Sequence, residues 1–118
     1  MAQPDEIIHQ SLRLRIMAAL HANGAGPLEF GRLKALVGAT DGNLGSHLST
    51  LETAGYVRID KDFVGKRPRT RASVTPSGGR AFRGHMDYLR EIMESAGGDS
   101  SAGARPTSRV IPDLIRDP

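Results

Sequence analysis

Four cationic side chains lie within six consecutive residues near the middle of the chain. Among the residues that could bind a ligand or catalyse a reaction, this group has the clearest pattern. They are Lys66, Arg67, Arg69 and Arg71. Like charges at this density repel one another unless a polyanion screens them, and phosphate groups bind Lys and Arg readily. We therefore predict that this segment contacts the phosphates or the minor groove of a nucleic acid, with Arg58 and Lys61 extending the contact.

The charge of the whole chain is concentrated around the same segment. The 118 residues have a net charge of +3, yet residues 56–90 hold nine Lys or Arg against three Asp. A segregated basic segment is typical of nucleic-acid-binding proteins, although an ordinary solvated surface has the same composition. Charge alone therefore leaves both interpretations open.

The other residue types that do chemistry form no recognisable site. The chain has no Cys, which excludes disulfides and thiolate zinc sites and is compatible with a reducing cytoplasm. Its four His, at positions 9, 21, 47 and 85, lack the spacing of metal ligands. No nucleophilic side chain forms a recognisable set with a general base. We therefore expect no catalytic residue, no metal, no cofactor and no enzymatic activity.

Three helices are predicted ahead of the cationic segment. Apolar residues at every fourth position predict a first helix over 5–22, and a shorter apolar stripe predicts a second over 29–37. Thr40 is a suitable N-cap for a third helix that reaches about residue 54. The buried stripe of this third helix consists of Leu44, Leu48 and Leu51.

The remaining faces of the third helix are small and polar, and we predict that they read DNA. An Asn side chain binds adenine through two hydrogen bonds, and Ser or Thr can contact bases or phosphates. Glycines at 42 and 45 cost about 0.5 to 1 kcal/mol each in a helix, which favours a close approach of the backbone to a partner. An ordinary solvated helix face is the alternative. The predicted DNA-binding residues of this helix are Thr40, Gly42, Asn43, Ser46, His47, Ser49 and Thr50.

After Gly55 the hydrophobic period changes from 3.6 to 2, which predicts a β-hairpin with a turn over 65–69. Thr75 followed by Pro76 predicts the start of a fourth helix that reaches about residue 94. From residue 95 onward, ten of 24 residues are Gly, Pro or Ser and no period is present. We therefore expect one domain over 1–94 and a disordered tail over 95–118.

This order of elements, mainly α with a small β-hairpin, is that of a winged helix-turn-helix, in which three helices and a two-stranded wing precede a C-terminal helix. Four segments resemble the winged-helix regulators related to the MarR and ArsR types. They are DGNLGSHL at 41–48, LETAGYV at 51–57, KRPRT at 66–70 and VTPSG at 74–78. The resemblance implies a dimeric transcription factor with its third helix in the major groove and its basic wing on the DNA backbone.

The resemblance also implies a dimer interface built by the first and last helices. The expected interface residues are Ile8, Leu12, Phe82, Met86, Leu89 and Met93. The expected partners are double-stranded DNA and a second copy of the chain, and any effector ligand is unknown. No apolar run approaches the roughly 18 residues of a membrane span, so we expect a cytoplasmic protein without membrane contact. A winged-helix module that binds proteins and not DNA is the alternative function.

Overall fold

The computed structural model describes residues 2–24 and 26–97. The elements in chain order are α1 (Ser11–Ala22), β1 (Leu28–Glu29), α2 (Phe30–Val37), α3 (Asp41–Thr53), β2 (Val57–Val64), β3 (Arg67–Val74) and α4 (Pro76–Gly97). The predicted mainly helical fold with a small β wing is confirmed. Most of the predicted tail lies outside the described residues. Residues 95–97 form the last turn of α4, so their assignment to the tail was wrong.

The hydrophobic core lies where α1, α2 and α3 pack on one another and on the base of the sheet. The fourth-position stripe of α1 and the leucine stripe of α3 are buried, as their spacing predicts. Burying each such side chain stabilises the fold by about 1.5 to 3 kcal/mol. The core residues of these elements are Leu12, Ile16, Met17, Leu20, Leu33, Val37, Leu44, Leu48, Leu51, Val57 and Ala72.

The start of α1 was predicted six residues too early, because Asp5 gives the backbone a competing set of hydrogen bonds. Its carboxylate accepts from the backbone N–H groups of Ile7 and Ile8 at 2.9 and 3.0 Å, which closes a separate turn. The side chain of Gln10 then accepts from the N–H of Arg13 at 3.0 Å and begins α1 at Ser11. Residues 2–10, the N-terminal segment, are therefore a distinct element that packs beside the helices.

The sheet has three antiparallel strands in the order β1–β3–β2. Sequence periodicity missed β1, because a strand of two residues has no measurable period. The turn of the hairpin is also shorter than predicted: only Gly65, at φ +63°, and Lys66 separate β2 from β3. Pro68 lies within β3 at a point beyond the end of β1, where its missing N–H removes no bond to a third strand.

Thr75 joins the start of α4 to the end of α3. Its hydroxyl donates to the carbonyl of Gly55 at 2.7 Å and accepts from the N–H of Gly78 at 2.9 Å. The backbone of Gly78 lies directly against Tyr56, and a Cβ at this position would collide with the Tyr56 carbonyl. The first turn of α4 is therefore fixed against the α3–β2 connection.

Candidate nucleic-acid interface

The N-terminus of α3 is fixed by the cap that the sequence predicts. The hydroxyl of Thr40 accepts from the N–H of Asn43 at 3.2 Å. This hydroxyl is therefore already used to cap the helix. Asp41 in the first turn pairs with Lys34 of α2 at 2.8 Å. These contacts set the direction in which the polar face of α3 leaves the domain.

The polar residues of α3 divide into two groups by how their side chains are used. The hydroxyl of Thr50 donates to the carbonyl of Ser46 at 3.3 Å, and the ring of His47 accepts from Arg13 at 3.1 Å. Both residues are half-buried. In contrast, the side chains of Asn43, Ser46 and Ser49 are exposed and have no hydrogen-bond partner within the described residues.

Arg13 is a positioning residue that the sequence did not reveal. It lies on α1, where an Arg is normally a plain surface residue, yet its guanidinium donates both to the carbonyl of Ile7 and to the ring of His47. One side chain therefore links the N-terminal segment to α3. A contact between residues 34 positions apart leaves no signal in local spacing.

Gly42 and Gly45 of α3 have no structural role inside the chain. A Cβ added at either position would meet no atom within 4 Å, and neither glycine has the positive φ that favours this residue. Each still costs about 0.5 to 1 kcal/mol relative to Ala in a helix interior. The absence of a compensating contact within the chain supports the interpretation that a partner approaches the backbone here.

The wing, residues 57–74, has two faces with different electrostatics. The residues on what we call the outer face are Arg58, Asp60, Asp62, Val64, Arg67, Arg69, Arg71 and Ser73. Asp62 binds Arg69 through two hydrogen bonds of 2.9 and 2.6 Å and lies 3.4 Å from Arg71. Asp60 pairs with Arg58 at 3.1 Å. Apart from Arg67, next to the turn, the cations of the outer face therefore have carboxylate partners within the wing.

From the sequence alone, the wing cations are expected to repel one another unless a polyanion screens them. The pairing with Asp62 corrects this expectation for two of them, Arg69 and Arg71. The hydrogen bond from Arg69 holds the pKa of Asp62 below its usual value, and the same contact raises the pKa of Arg69. Arg69 and Arg71 thus have a carboxylate that screens them without any polyanion. The strand register brings Asp62 opposite Arg69, and that register is not readable from composition.

The opposite side of the wing, its inner face, consists of Lys61, Phe63, Pro68 and Thr70 beyond the core residues. Lys61 and Thr70 line a groove of about 560 Å³ between the wing and α3, with Gly45 and Ser49 on its far wall. The inner face therefore opens onto the exposed polar face of α3.

Three of the six predicted wing cations remain free for a partner. Lys61 on the inner face, Lys66 in the turn and Arg67 beside it are all exposed, and none forms an ion pair in the part of the chain that the structure describes. Lys61 lines the groove together with Ser49 and Glu52 of α3, whereas Asn43 is exposed elsewhere on α3. Side chains of these types are able to bind base edges and phosphates.

The predicted dimer-interface residues are not all available to a second copy. Ile8 is completely buried, and Leu12 and Phe82 are each only 8% exposed within one chain, so these three side chains pack in its own core. Met86 and Leu89 are half-buried, whereas Met93 is 73% exposed. Ile92, which the sequence analysis missed, is 46% exposed beside it.

A buried polar junction connects the N-terminal segment to α4. The N–H of Asp5 donates to Nδ1 of His85 at 3.0 Å, and the hydroxyl of Tyr56 donates to the Asp5 carboxylate at 2.7 Å. This hydrogen bond raises the pKa of Tyr56 to about 12. His85 is 1% exposed, its Nε2 has no partner among the described residues, and burial lowers its pKa.

Comparison with known proteins identifies the domain. The family described as winged helix DNA-binding domain matches residues 12–93, more than half of the chain. The chain belongs to this family. MJ0432, a protein of Methanocaldococcus jannaschii, is 35% identical over 89 residues, which cover 75% of this chain and 91% of that protein.

Solved winged-helix structures have the same fold. The transcriptional regulator homologue of Pyrococcus horikoshii OT3 superposes with a TM-score of 0.70 at 27% identity, covering 78% of this chain and 89% of that chain. A MarR-family regulator from Enterococcus faecalis V583 superposes with a TM-score of 0.61 at 24% identity, covering 76% and 78%. The predicted winged-helix fold is confirmed, with the MarR-family structure sharing that fold, and the family supports a DNA-binding regulator. No helix of residues 2–24 and 26–97 is long and apolar enough to cross a membrane.

Proposed function

We propose that this winged-helix protein is a sequence-specific transcriptional regulator of double-stranded DNA. The observation that carries the proposal is the groove between α3 and the inner face of the wing. Ser49, whose side chain has no hydrogen-bond partner within the described residues, lies on its α3 wall beside Gly45 and Glu52, and Lys61, unpaired within the same residues, lies on the wing wall with the cationic tip beyond. A helix with free polar groups enters the major groove, while cations at a hairpin tip bind the adjacent backbone.

Within this proposal, α3 is the recognition helix. Asn43 reads a base edge, Ser46 and Ser49 contact bases or phosphates, and Gly42 and Gly45 let the helix backbone lie close to the groove floor. Lys66 and Arg67 bind phosphates, and Lys61 lies at the groove mouth. Arg58, Arg69 and Arg71 maintain the shape of the wing through their carboxylate partners, which narrows the predicted set of DNA-contacting cations.

We further propose that the active form is a homodimer built through the distal half of α4. Leu89, Ile92 and Met93 lie within one helical turn of α4 and expose apolar surface that the rest of the described chain does not cover. Dimeric winged-helix and helix-turn-helix proteins bind two half-sites about 34 to 36 Å apart, or a multiple of that distance, and a two-fold axis at this surface would have to separate the two copies of α3 by such a spacing. The target sequence would then be a palindrome.

Selection from a pool of random DNA duplexes tests this function directly. The expected result is a recovered palindromic motif, with affinity that falls steeply as salt rises. Recovery of no motif, together with a flat salt dependence, would instead favour the protein-binding module. Light scattering on the free protein checks the dimer, and Met93→Glu is the matched variant that should shift it to a monomer.

A further inference from the structure

Phe63 is exposed on the wing in a way that folding does not explain. The chain has three Phe, of which Phe82 is buried and Phe30 packs against the core, but the Phe63 side chain is 69% exposed. Leaving a phenyl ring in water forgoes the stabilisation that its burial would give. The ring is thus available to a partner at no cost to the core.

Pro68 completes an apolar patch with Phe63. The two residues are directly paired across β2 and β3, and directly opposite residues of an antiparallel pair project from the same face. Pro68 is also exposed. The patch lies on the inner face of the wing, beyond the groove that separates this face from α3.

Free cations lie beside the patch, and Glu29 of β1 lines a cavity with Pro68, where it acts electrostatically on Arg69. Lys61 precedes Phe63 by two residues on the inner face, and Lys66 and Arg67 form the tip beyond it. The acidic residues of the wing, Asp60 and Asp62, lie on the outer face, where they are paired. A complementary partner is therefore apolar at its centre and anionic on both sides. The minor groove of DNA has this arrangement, with sugar walls and base edges between two rows of phosphates.

The dimensions of the wing agree with this partner. Phe63 and Pro68 each lie two residues from the turn, which corresponds to about 7 Å at roughly 3.3 Å per strand residue. The minor groove of B-DNA is about 7.5 Å deep. A wing tip that contacts the groove floor would therefore bring the apolar patch to the level of the sugars and the outermost base edges.

We propose that Phe63 and Pro68 form an apolar wedge that enters the minor groove beside each half-site, while Lys66 and Arg67 bind the phosphates at its rims. The proposal rests on the DNA-binding function above and deepens it. Apolar wedges unstack a base step, and TA and CA/TG steps deform most easily. The protein would therefore select flexible steps at flanking positions that α3 does not touch.

Fluorescence of 2-aminopurine placed at each flanking step of the selected duplex tests the wedge. With wild-type protein we expect increased fluorescence at one flanking step on each side, because unstacking relieves quenching. Phe63→Ala should abolish this increase, weaken binding about tenfold on duplexes with a flanking TA or CA step, and leave the salt slope unchanged. Phe63→Leu should retain most of both effects, and Val64→Ala, next to it on the opposite face of the strand, should change neither.

The outcomes separate the wedge from the proposed function. A wild-type protein that binds the selected duplex without increased fluorescence at any flanking step overturns the wedge and leaves DNA binding intact. A Phe63→Ala variant that retains the fluorescence increase and the flanking preference overturns it as well. If no duplex is bound at all, the proposed function fails, and the exposed patch becomes a protein contact. Unchanged melting temperatures in the variants confirm that folding is not the cause.

Discussion

The surface around the α3–wing groove and the junction between the N-terminal segment and α4 use their polar groups differently. At the junction, Asp5 binds both His85 and Tyr56, and the buried Nε2 of His85 is the exception among these polar atoms in having no partner within the described residues. Around the groove, the side chains of Ser49 and Lys61 have no partner in the described part of the chain. Polar groups that folding needs are satisfied internally, whereas groups left free beside unexplained glycines are available to a ligand. The contrast separates structural residues from candidate DNA contacts.

The largest expected effect on DNA affinity comes from replacing the free cations of the wing tip. Replacing Lys66 and Arg67 by Ala in a dimer removes up to four phosphate contacts, each contributing about 0.9 to the log-log salt slope. Binding to all duplexes should weaken on the order of a thousandfold near 0.1 M salt if all four contacts are made. Titrations of a labelled operator and a scrambled duplex at several salt concentrations measure both quantities.

The outer face of the wing supplies the control for that experiment. Arg58→Ala removes one cation from the same wing, but this cation is already paired with Asp60, so the salt slope should change little. Asp62→Asn is the complementary variant, because it leaves Arg69 and Arg71 uncompensated and should strengthen binding to every duplex. A full wild-type salt slope in the Lys66/Arg67 double variant would show that the tip does not touch DNA.

Asn43→Ala should reduce specificity and not general affinity. If Asn43 reads a base edge, the variant loses about 1 to 3 kcal/mol on the selected operator and little on scrambled DNA, with an unchanged salt slope. Thr50→Ala, on the same helix but already hydrogen-bonded to Ser46, is the comparison variant and should retain discrimination. Equal losses on both duplexes for Asn43→Ala would place this side chain on phosphate.

Acid should weaken the junction before it affects the groove. Burial lowers the pKa of His85, and His9 lowers it further while Asp5 opposes the change. In the unfolded chain, His85 therefore binds a proton with the ordinary His pKa of about 6.5, whereas in the folded chain it is protonated only at lower pH. The stabilisation is complete above about pH 6.5 and is lost as pH falls from there towards the lower folded pKa.

Urea unfolding at about pH 7.5 and about pH 5.5 measures this loss. His85→Gln removes the titrating group, so its free energy of unfolding should be lower at both pH values and should vary less between them. A free energy of unfolding that rises on acidification would contradict the conclusion that His85 is held uncharged in the folded chain.

The smallest expected effect has opposite signs for stability and for binding. Gly45→Ala should stabilise the fold by about 0.5 to 1 kcal/mol, because Ala favours helix and the added Cβ meets nothing within the chain. The same Cβ should weaken operator binding if α3 lies close to the groove floor. Gly84→Ala on α4, also sterically free, should stabilise without changing affinity. Thermal melts and titrations of both variants decide whether Gly45 serves a partner.

Sequence patterns predicted local features well and contacts between elements poorly. The leucine period and the cap at Thr40 placed α3 to within one residue, since both signals are local. The late start of α1 depends on a turn that the Asp5 carboxylate closes with the Ile7 and Ile8 N–H groups, and Asp5 is itself held by residues 51 and 80 positions away. The neutralised outer face depends on strand register, which brings Asp62 opposite Arg69. Counting cations therefore identified the wing correctly but did not indicate which of its charges are free.

The joint at Thr75 has a mechanical consequence. Because Thr75 and Gly78 hold the start of α4 against Gly55 and Tyr56, directly after α3, we expect a rotation of α4 to be transmitted to the C-terminal end of α3. In a dimer that associates through the distal half of α4, a few degrees of change in the crossing angle would alter the distance between the two recognition helices. A small molecule in the dimer cleft could then control gene expression by altering half-site spacing, without touching the DNA-binding surface.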